Sequence, residues 1–379
     1  MFQELKPNEF ARVRHLFDGF DYSLSLRAAI AGNNPGRIFV DAAAQPRMAF
    51  ALTVEGYLLA GECDNPATND ALRRLLKEQI FTGKVFVNGN DSLSLAVHPE
   101  TWEARLPELI PGYQAEKLER YHYLCRALKF DWRANLPARY SVHRVDHDLL
   151  DDPAIVFPDP WREWFDPEQM WGTKENFLAR GISFCVLHDR EVVAWCTPDC
   201  MAGDQIDVGI VTHRAHRRKG LGSIAVAATV EYCLQHGFAA VGWHCNAENI
   251  ASWKLAEKVG FERNREYAYY YYMYDPTDHL AELGWYYFRR GEYAKTVQYY
   301  ERVFGERKDN PDYYYHLTAV AWAALGNSEH ALKYLNAAIE HGWNNVEYTE
   351  QTGPFSILHG TPEWEAALAR MRQSEDGSQ

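Results

Sequence analysis

Short runs of alternating apolar residues fill the first third of the chain. Arg37–Val40, Met48–Val54 and Tyr57–Ala60 predict three strands. Asn69–Gln79 then predicts a helix, Lys84–Val87 a strand, Thr101–Leu109 a helix and Leu118–Ala127 a last strand. The middle third repeats this order more strongly. Ala138–Val145 alternates as a strand, Trp161–Ala179 is helical and aromatic, and Ile182–Leu187 with Val192–Cys196 form a hairpin around His188-Asp189-Arg190. The branched run Ile206–Thr212 predicts a strand, Leu221–His236 a helix stopped by Gly237, and Ala239–Cys245 another strand. A further helix follows, and Tyr267–Tyr274 closes the sheet. After Asp275-Pro276 the period changes to that of paired helices. Gly291-Glu292-Tyr293-Ala294 and Gly326-Asn327-Ser328-Glu329 recur 35 residues apart, and Pro311 opens the second pair.

Composition narrows the choices. In 379 residues, two or three domains are expected, and 47% hydrophobic with 14% aromatic content excludes wholesale disorder. No run reaches eighteen apolar residues, and the N-terminus lacks the basic-then-apolar design of a signal peptide, so no membrane association is expected. Seven cysteines without Cys-x-x-Cys suggest reduced thiols in the cytoplasm and no metal site. A net charge of -13 speaks against nucleic-acid partners.

Against that acidic background, one basic turn stands out. His213-Arg214-Ala215-His216-Arg217-Arg218-Lys219-Gly220-Leu221-Gly222 joins the strand at 206–212 to the helix from Leu221. Four cations crowd positions 214–219, two glycines allow close approach of backbone, and the first N–H groups of the helix point into the turn. The pattern is an anion cradle. Arg217-x-x-Gly220-x-Gly222 after a strand resembles the acyl-CoA signature of the GNAT N-acetyltransferases. Downstream, Asn249-x-x-Ser252-x-x-Leu255-Ala256-x-Lys258-x-Gly260-Phe261 is similar to the second motif of that family. Gly220-x-Gly222-x-x-Ala225 also fits a loose dinucleotide fingerprint, but seven residues separate Thr212 from Gly220 and no acidic residue closes the next strand.

The resemblance implies an α/β GNAT fold with a mixed, splayed sheet at 133–275. Residues 1–132 read as a degenerate GNAT-like α/β domain, since Gly61-Glu62-Cys63-Asp64-Asn65-Pro66 replaces the basic turn, with an unrelated α/β domain as the alternative. Residues 276–379 resemble tetratricopeptide helices, with a peptide groove lined by Tyr300, Tyr313, Tyr314 and Tyr315 as one use. The whole is similar to a tandem-GNAT bacterial branch that includes antibiotic self-resistance acetyltransferases. By the resemblance, acetyl-CoA is the co-substrate. Its diphosphate would take the N–H groups of Arg217, Arg218, Lys219, Gly220, Leu221, Gly222 and Ser223. Ile210, Val211 and Thr212 would pair with its pantetheine arm and offer an N–H to the oxyanion, and Asn249 and Ser252 would reach the arm from the other side. Asn249 also reads as a plain helix cap.

Asp207 is the first candidate base, facing away from Ile206 and Val208, with His244 and Glu248 next. The tyrosine that many members place after the Leu of the second motif, as acid for the thiol, is Ala256 here. The expected activity is direct transfer of an acetyl group to the amine of a small molecule or peptide. The alternative is a non-catalytic acyl-CoA-binding or scaffold protein whose helical repeats bind a protein partner. A homodimer fits either reading.

Overall fold

A computed structural model of the chain describes residues 2–85, 87, 91–114, 116–158 and 167–376. The chain divides into two compact units, Met1–Tyr272 and Met273–Gln379. The first unit is built on one sheet of twelve strands in the order β1-β2-β3-β4-β5-β12-β6-β11-β10-β9-β8-β7. The strands are β1 (Gln3–Glu4), β2 (Gly36–Val40), β3 (Met48–Thr53), β4 (Gly56–Gly61), β5 (Ser92–His98) and β6 (Glu116–Cys125). They continue as β7 (Tyr140–Arg144), β8 (Phe184–His188), β9 (Glu191–Ala202), β10 (Gln205–Thr212), β11 (Ala240–Asn246) and β12 (Glu262–Met273).

Two halves are visible in that order. Each has an antiparallel meander of four strands, β1–β4 or β7–β10, followed by a parallel fifth strand, β5 or β11. The halves then exchange their last strands. β6 pairs antiparallel with both β11 and β12, and β12 lies between β6 and β5. Neither last strand closes the sheet of its own half, and the sheet runs unbroken past residue 132.

Helix α1 (Leu24–Ile30) and helix α2 (Pro66–Leu75) belong to the first half, and α3 (Leu221–Gln235) and α4 (Ile250–Val259) to the second. Leu221 to Val230 are buried without interruption, as expected for a helix that is apolar all round. Ile224, Val226 and Val230 are fully buried in the core that also takes in Ile206 and Val208 of β10. Each such side chain contributes about 2 kcal/mol of burial. β10 therefore turns Ile206 and Val208 towards α3 and Asp207 to the opposite face.

Three local expectations shift. The strand expected at Lys84–Val87 is Ser92–His98, where Leu93 and Leu95 are fully buried and alternate with serines; Phe86 lies outside the described residues. The helix expected at Thr101–Leu109 is a 3-10 segment, Glu100–Arg105, restarted at Leu106 because Pro107 has no N–H to continue it. Of Trp161–Ala179, residues 161–166 lie outside the described residues, and the rest is helical at Pro167–Trp171 and Lys174–Arg180.

The second unit pairs α5 (Pro276–Arg289) with α6 (Tyr293–Glu306) and α7 (Asp312–Ala324) with α8 (Ser328–Glu340). Gly291 and Gly326 turn the chain between the members of each pair at φ of 73° and 78°. The groove of four tyrosines does not form. Tyr300 is fully buried against Tyr314 and Phe304, and Tyr315 is stacked on Phe304 and His341, so both rings belong to the helix packing.

Candidate active site

The parallel pair β10–β11 holds for three steps, Gln205↔Ala240, Ile206↔Val241 and Asp207↔Gly242, and then stops. β10 continues to Thr212, still antiparallel to β9 as far as Ala194, with a bulge in the register at Asp207/Val208. Bulges bend a strand and end pairing. Here the extra residue is Asp199 of β9, and beyond Asp207 the edge of Val208–Thr212 is no longer paired with β11, so the sheet splits into a cleft there.

The basic turn lies at the end of this edge. A 3-10 turn at Arg214–His216 leads to Arg218 and Gly220, both left-handed at φ of 63° and 79°. Gly220 caps α3 without a side-chain hydrogen bond, so the first amides of the helix have no cap of their own. Arg217 Nε donates to the Thr212 carbonyl at 3.2 Å, and Lys219 Nζ donates to the Tyr140 hydroxyl at 3.2 Å. Arg214, Arg217, Arg218 and Lys219 are all exposed. A Cβ on Gly222 would stand 3.1 Å from both Leu255 Cδ1 and Thr212 Oγ1, so this glycine lets the first turn of α3 meet β10 and α4. Asn249 accepts from the Ser252 amide as the cap of α4, and Ser252 Oγ accepts from Trp243 Nε1 at 3.1 Å. Both side chains thus have work within the fold.

Asp207 sits at the apex of the cleft, 2% exposed. A Cβ on Gly242 would fall 1.7 Å from its Oδ1, so the carboxylate occupies the space that this glycine leaves. His244 Nε2 lies 3.5 Å from Asp207 Oδ2 and has no hydrogen-bond partner, while its Nδ1 is 3.0 Å from the Tyr267 hydroxyl. The His122 ring stacks on His244 with centroids 4.5 Å apart and planes at 9°.

Burial favours the neutral form of every group here. It raises Asp207 to about 7, opposed by the charge of Arg27, and lowers His244 to about 4 and His122 to about 3. Between about 4 and 7 Asp207 and His244 therefore share a single proton instead of forming a charged pair. Asp199, in the β9 bulge, is pushed up by burial and then by the neighbouring Glu55 and Asp207.

The first half adds groups that the sequence pattern did not single out. Glu55, in the β3–β4 turn, has a carboxylate oxygen within 4.8 Å of donor atoms of both Asp207 and Cys200. Burial raises its carboxyl, with His244 opposing and Asp207 reinforcing the shift. Arg120 on β6 lies between Asn246 and Tyr267, with its guanidinium 6.0 and 5.6 Å from the rings of Tyr267 and Tyr269. A half-open cleft is lined by Glu55, Arg120, His244 and Tyr267 together with Ser25 and Tyr22. Among these only His244 was expected. Strand exchange explains Arg120 and Tyr267, because it sets β6 against β11 with β12 on the far side of β6, and no local pattern announces that.

Glu248 is exposed just beyond β11, on the side of Tyr269. Among the described residues, two triads have donor atoms within 4.8 Å of one another, His122/Asp207/His244 and Glu55/Cys200/Asp207. The parallel stacking of the two imidazoles keeps one ion from lying in both ring planes, where their lone pairs point. All seven cysteines are free and buried. Among the described residues, no helix is long and apolar enough to cross a membrane.

Known proteins resemble this chain in sequence and in fold. An uncharacterized N-acetyltransferase of Bacillus subtilis (strain 168), YdfB, is 24% identical over 270 residues, which are 71% of this chain and 98% of that protein. The crystal structure of a GCN5-related N-acetyltransferase-like protein from Streptococcus suis 89/1591 covers 69% of this chain, and 97% of it is matched, at 21% identity and a TM-score of 0.51. A tandem GNAT protein from the clavulanic acid biosynthesis pathway matches over 73% of this chain and 99% of its own, at 14% identity and a TM-score of 0.45. The model of the GNAT acetyltransferase family matches residues 14–270, spanning both halves of the twelve-stranded sheet. The chain belongs to the GNAT acetyltransferase family.

Proposed function

We propose that the chain is an acetyl-CoA-dependent N-acetyltransferase whose amine acceptor attacks the thioester directly. The observation that carries this reading is the cleft where β10 leaves β11 after Asp207↔Gly242, ending at an uncapped, cation-ringed helix start. The diphosphate would rest on the amides of 217–223, where helix dipole and basic side chains both favour anions. The pantetheine arm would run along Ile210–Thr212 like an added strand, leaving an N–H of that edge for the oxyanion. The Asn249 and Ser252 side chains would flank it. Residues 133–275 are then the catalytic half, 1–132 a half that keeps the strand order without the phosphate turn, and 276–379 a tetratricopeptide-like appendage.

Proton transfer falls to Asp207 and His244. A carboxylate held near 7 is suited to accept a proton from an amine at neutral pH. His244 lines the neighbouring cleft with its Nε2 beside Asp207, and Tyr267 holds the other ring nitrogen. Glu248 is left to the rim. Ala256 is fully buried in the core, so the usual acid position supplies no proton, and the thiol, at roughly pKa 8.5, departs as thiolate. That same alanine is what favours the second reading, a non-catalytic acyl-CoA binder.

Two measurements decide. Calorimetry should show acetyl-CoA binding that is lost when Gly220 and Gly222 are both made bulky. Thiol release across an amine panel should then show turnover. Binding without turnover of any amine selects the second reading, and no binding removes both.

A further inference from the structure

The β3–β4 turn of the first half is held more rigidly than a surface turn requires. Thr53 Oγ1 donates to the Gly56 carbonyl at 2.8 Å, accepts from the Glu55 amide at 3.3 Å and lies 3.0 Å from Ser25 Oγ. Gly56 has a φ of +155°, and a Cβ there would meet the Ser94 carbonyl at 3.0 Å. This frame aims Glu55 inward to Ser25 and to within 4.8 Å of Asp207. Across the same cleft, Arg120 keeps its Nε buried and without a hydrogen-bond partner. A buried guanidinium donor left unpaired is costly unless an anion completes it. One cleft thus offers the Glu55 carboxylate and His244, with Asp207 directly behind both, and an uncompleted guanidinium on its wall.

We infer that the first half supplies the acceptor site, and that the acceptor is a compact zwitterion of the amino-acid type. Its ammonium lies between Glu55 and the Asp207–His244 pair, and its carboxylate meets Arg120. This rests on the proposal that an amine reaches Asp207 and His244. The ammonium gives up one proton to that pair, attacks the thioester as the free amine and gives up a second proton to Glu55 as the amide forms and the C–S bond breaks, with CoA leaving as thiolate. A narrow cleft lined by Ser25, Glu55, Arg120 and His244 suits a small polar head. Tyr22 and Tyr267, with ring centroids 4.3 Å apart, form part of the wall.

The test has two arms. Saturation-transfer NMR on the full chain, without acetyl-CoA, compares glycine, alanine and serine with methylamine, ethylamine and ethanolamine, and with spermidine and glycylglycine. Thiol release with acetyl-CoA uses the same panel. The amino acids should bind in the first arm and exceed their decarboxylated partners at least tenfold in kcat/KM in the second. Arg120→Gln should bring that ratio close to one. Glu55→Gln should lower kcat/KM about a hundredfold for every amine, with the melting temperature and the acetyl-CoA affinity showing that it is folded. Preference for spermidine, equal loss for both classes in Arg120→Gln, or stoichiometric zinc in the purified protein would overturn the inference. Binding of amino acids in the first arm with no turnover in the second would instead mark failure of the transferase reading alone.

Discussion

In the first half, β4 and β5 stay paired from Tyr57↔Leu95 to Ala60↔His98, and β4 ends one residue later. In the second half, the matching pair releases after three steps and β10 runs on for five more residues. The third step is Leu59↔Val97 in one half and Asp207↔Gly242 in the other. The helices that follow differ in the same sense. α2 is capped by Asn65, whose side chain accepts from the amides of Ala67 and Thr68, after an acidic turn. α3 begins at a bare glycine after a basic one. One topology therefore yields a sealed strand pair with a self-satisfied helix, and an open pair with an unsatisfied one. The sealed half is free to present its β3–β4 turn to the other half's cleft.

The sharpest way to break this contrast is to close the apex. Gly242→Ala puts a methyl where the Asp207 carboxylate lies, so either the carboxylate or the strand must move. We expect acetyl transfer to fall about a thousandfold and unfolding free energy to drop by about 3 kcal/mol, an overpacking penalty. Turnover and denaturant midpoint both close to those of the parent chain would show that the apex tolerates a zipped pair, and the contrast would lose its functional meaning.

Next is Asp207→Asn, which keeps the shape and removes the proton acceptor. A drop in kcat of roughly 10²–10⁴ is expected with acetyl-CoA affinity unchanged. In the parent chain kcat should rise with pH through about 7, as Asp207 loses its proton, and the variant should lack that limb. Stability carries the same signature. Burial raises the carboxyl from 3.8 to about 7, so between those values the fold retains a proton that the unfolded chain has shed. The parent chain therefore loses stability from this group as pH rises. The variant's stability relative to the parent should climb across the window by up to about 1.4 kcal/mol per pH unit. A flat difference from pH 4 to 7 would refute the buried, raised carboxyl.

Gly220→Val sharpens the other end. A branched residue at a φ of 79° costs about 1–2 kcal/mol and moves the amides of the turn. Acetyl-CoA affinity should weaken about thirtyfold with kcat at saturation changed less than threefold. A kcat effect larger than the affinity effect would put this turn nearer the chemistry than the diphosphate.

How much of this could be read from the chain depends on how local each signal is. The basic turn, the αL stop at Gly237 and the face of Asp207 follow from residues within a few positions of one another, and all three appear as expected. The recurring Gly-Glu-Tyr-Ala and Gly-Asn-Ser-Glu turns were legible for the same reason. Glu55 and Arg120 were not. Glu55 lies in an ordinary two-residue hairpin turn, and its partners come from a helix 30 positions back and from β6, β10 and β11, 65 or more positions ahead. Alternation marked Leu118–Ala127 as a strand, but β-pairing partners are fixed by register across the sheet, which periodicity does not encode. The four-tyrosine groove failed for a related reason. Aromatic spacing marks a packed face and an open one alike, and Tyr300 and Tyr315 prove to be packed.

The smallest effect tests the sealed half. Asn65 satisfies two amides at the start of α2, at 3.1 Å and 3.2 Å, and this is the position that Gly220 leaves bare in α3. Asn65→Ala should cost about 1 kcal/mol, read as a shift in the urea midpoint at unchanged slope. It should leave the calorimetric affinity for acetyl-CoA within error, because the acidic turn Glu62-Cys63-Asp64 repels a diphosphate whether or not the amides are capped. If uncapping α2 created or strengthened an anion site, the difference between the halves would lie in one asparagine. If affinity is unmoved, it lies in charge and strand separation together, which a single substitution cannot restore.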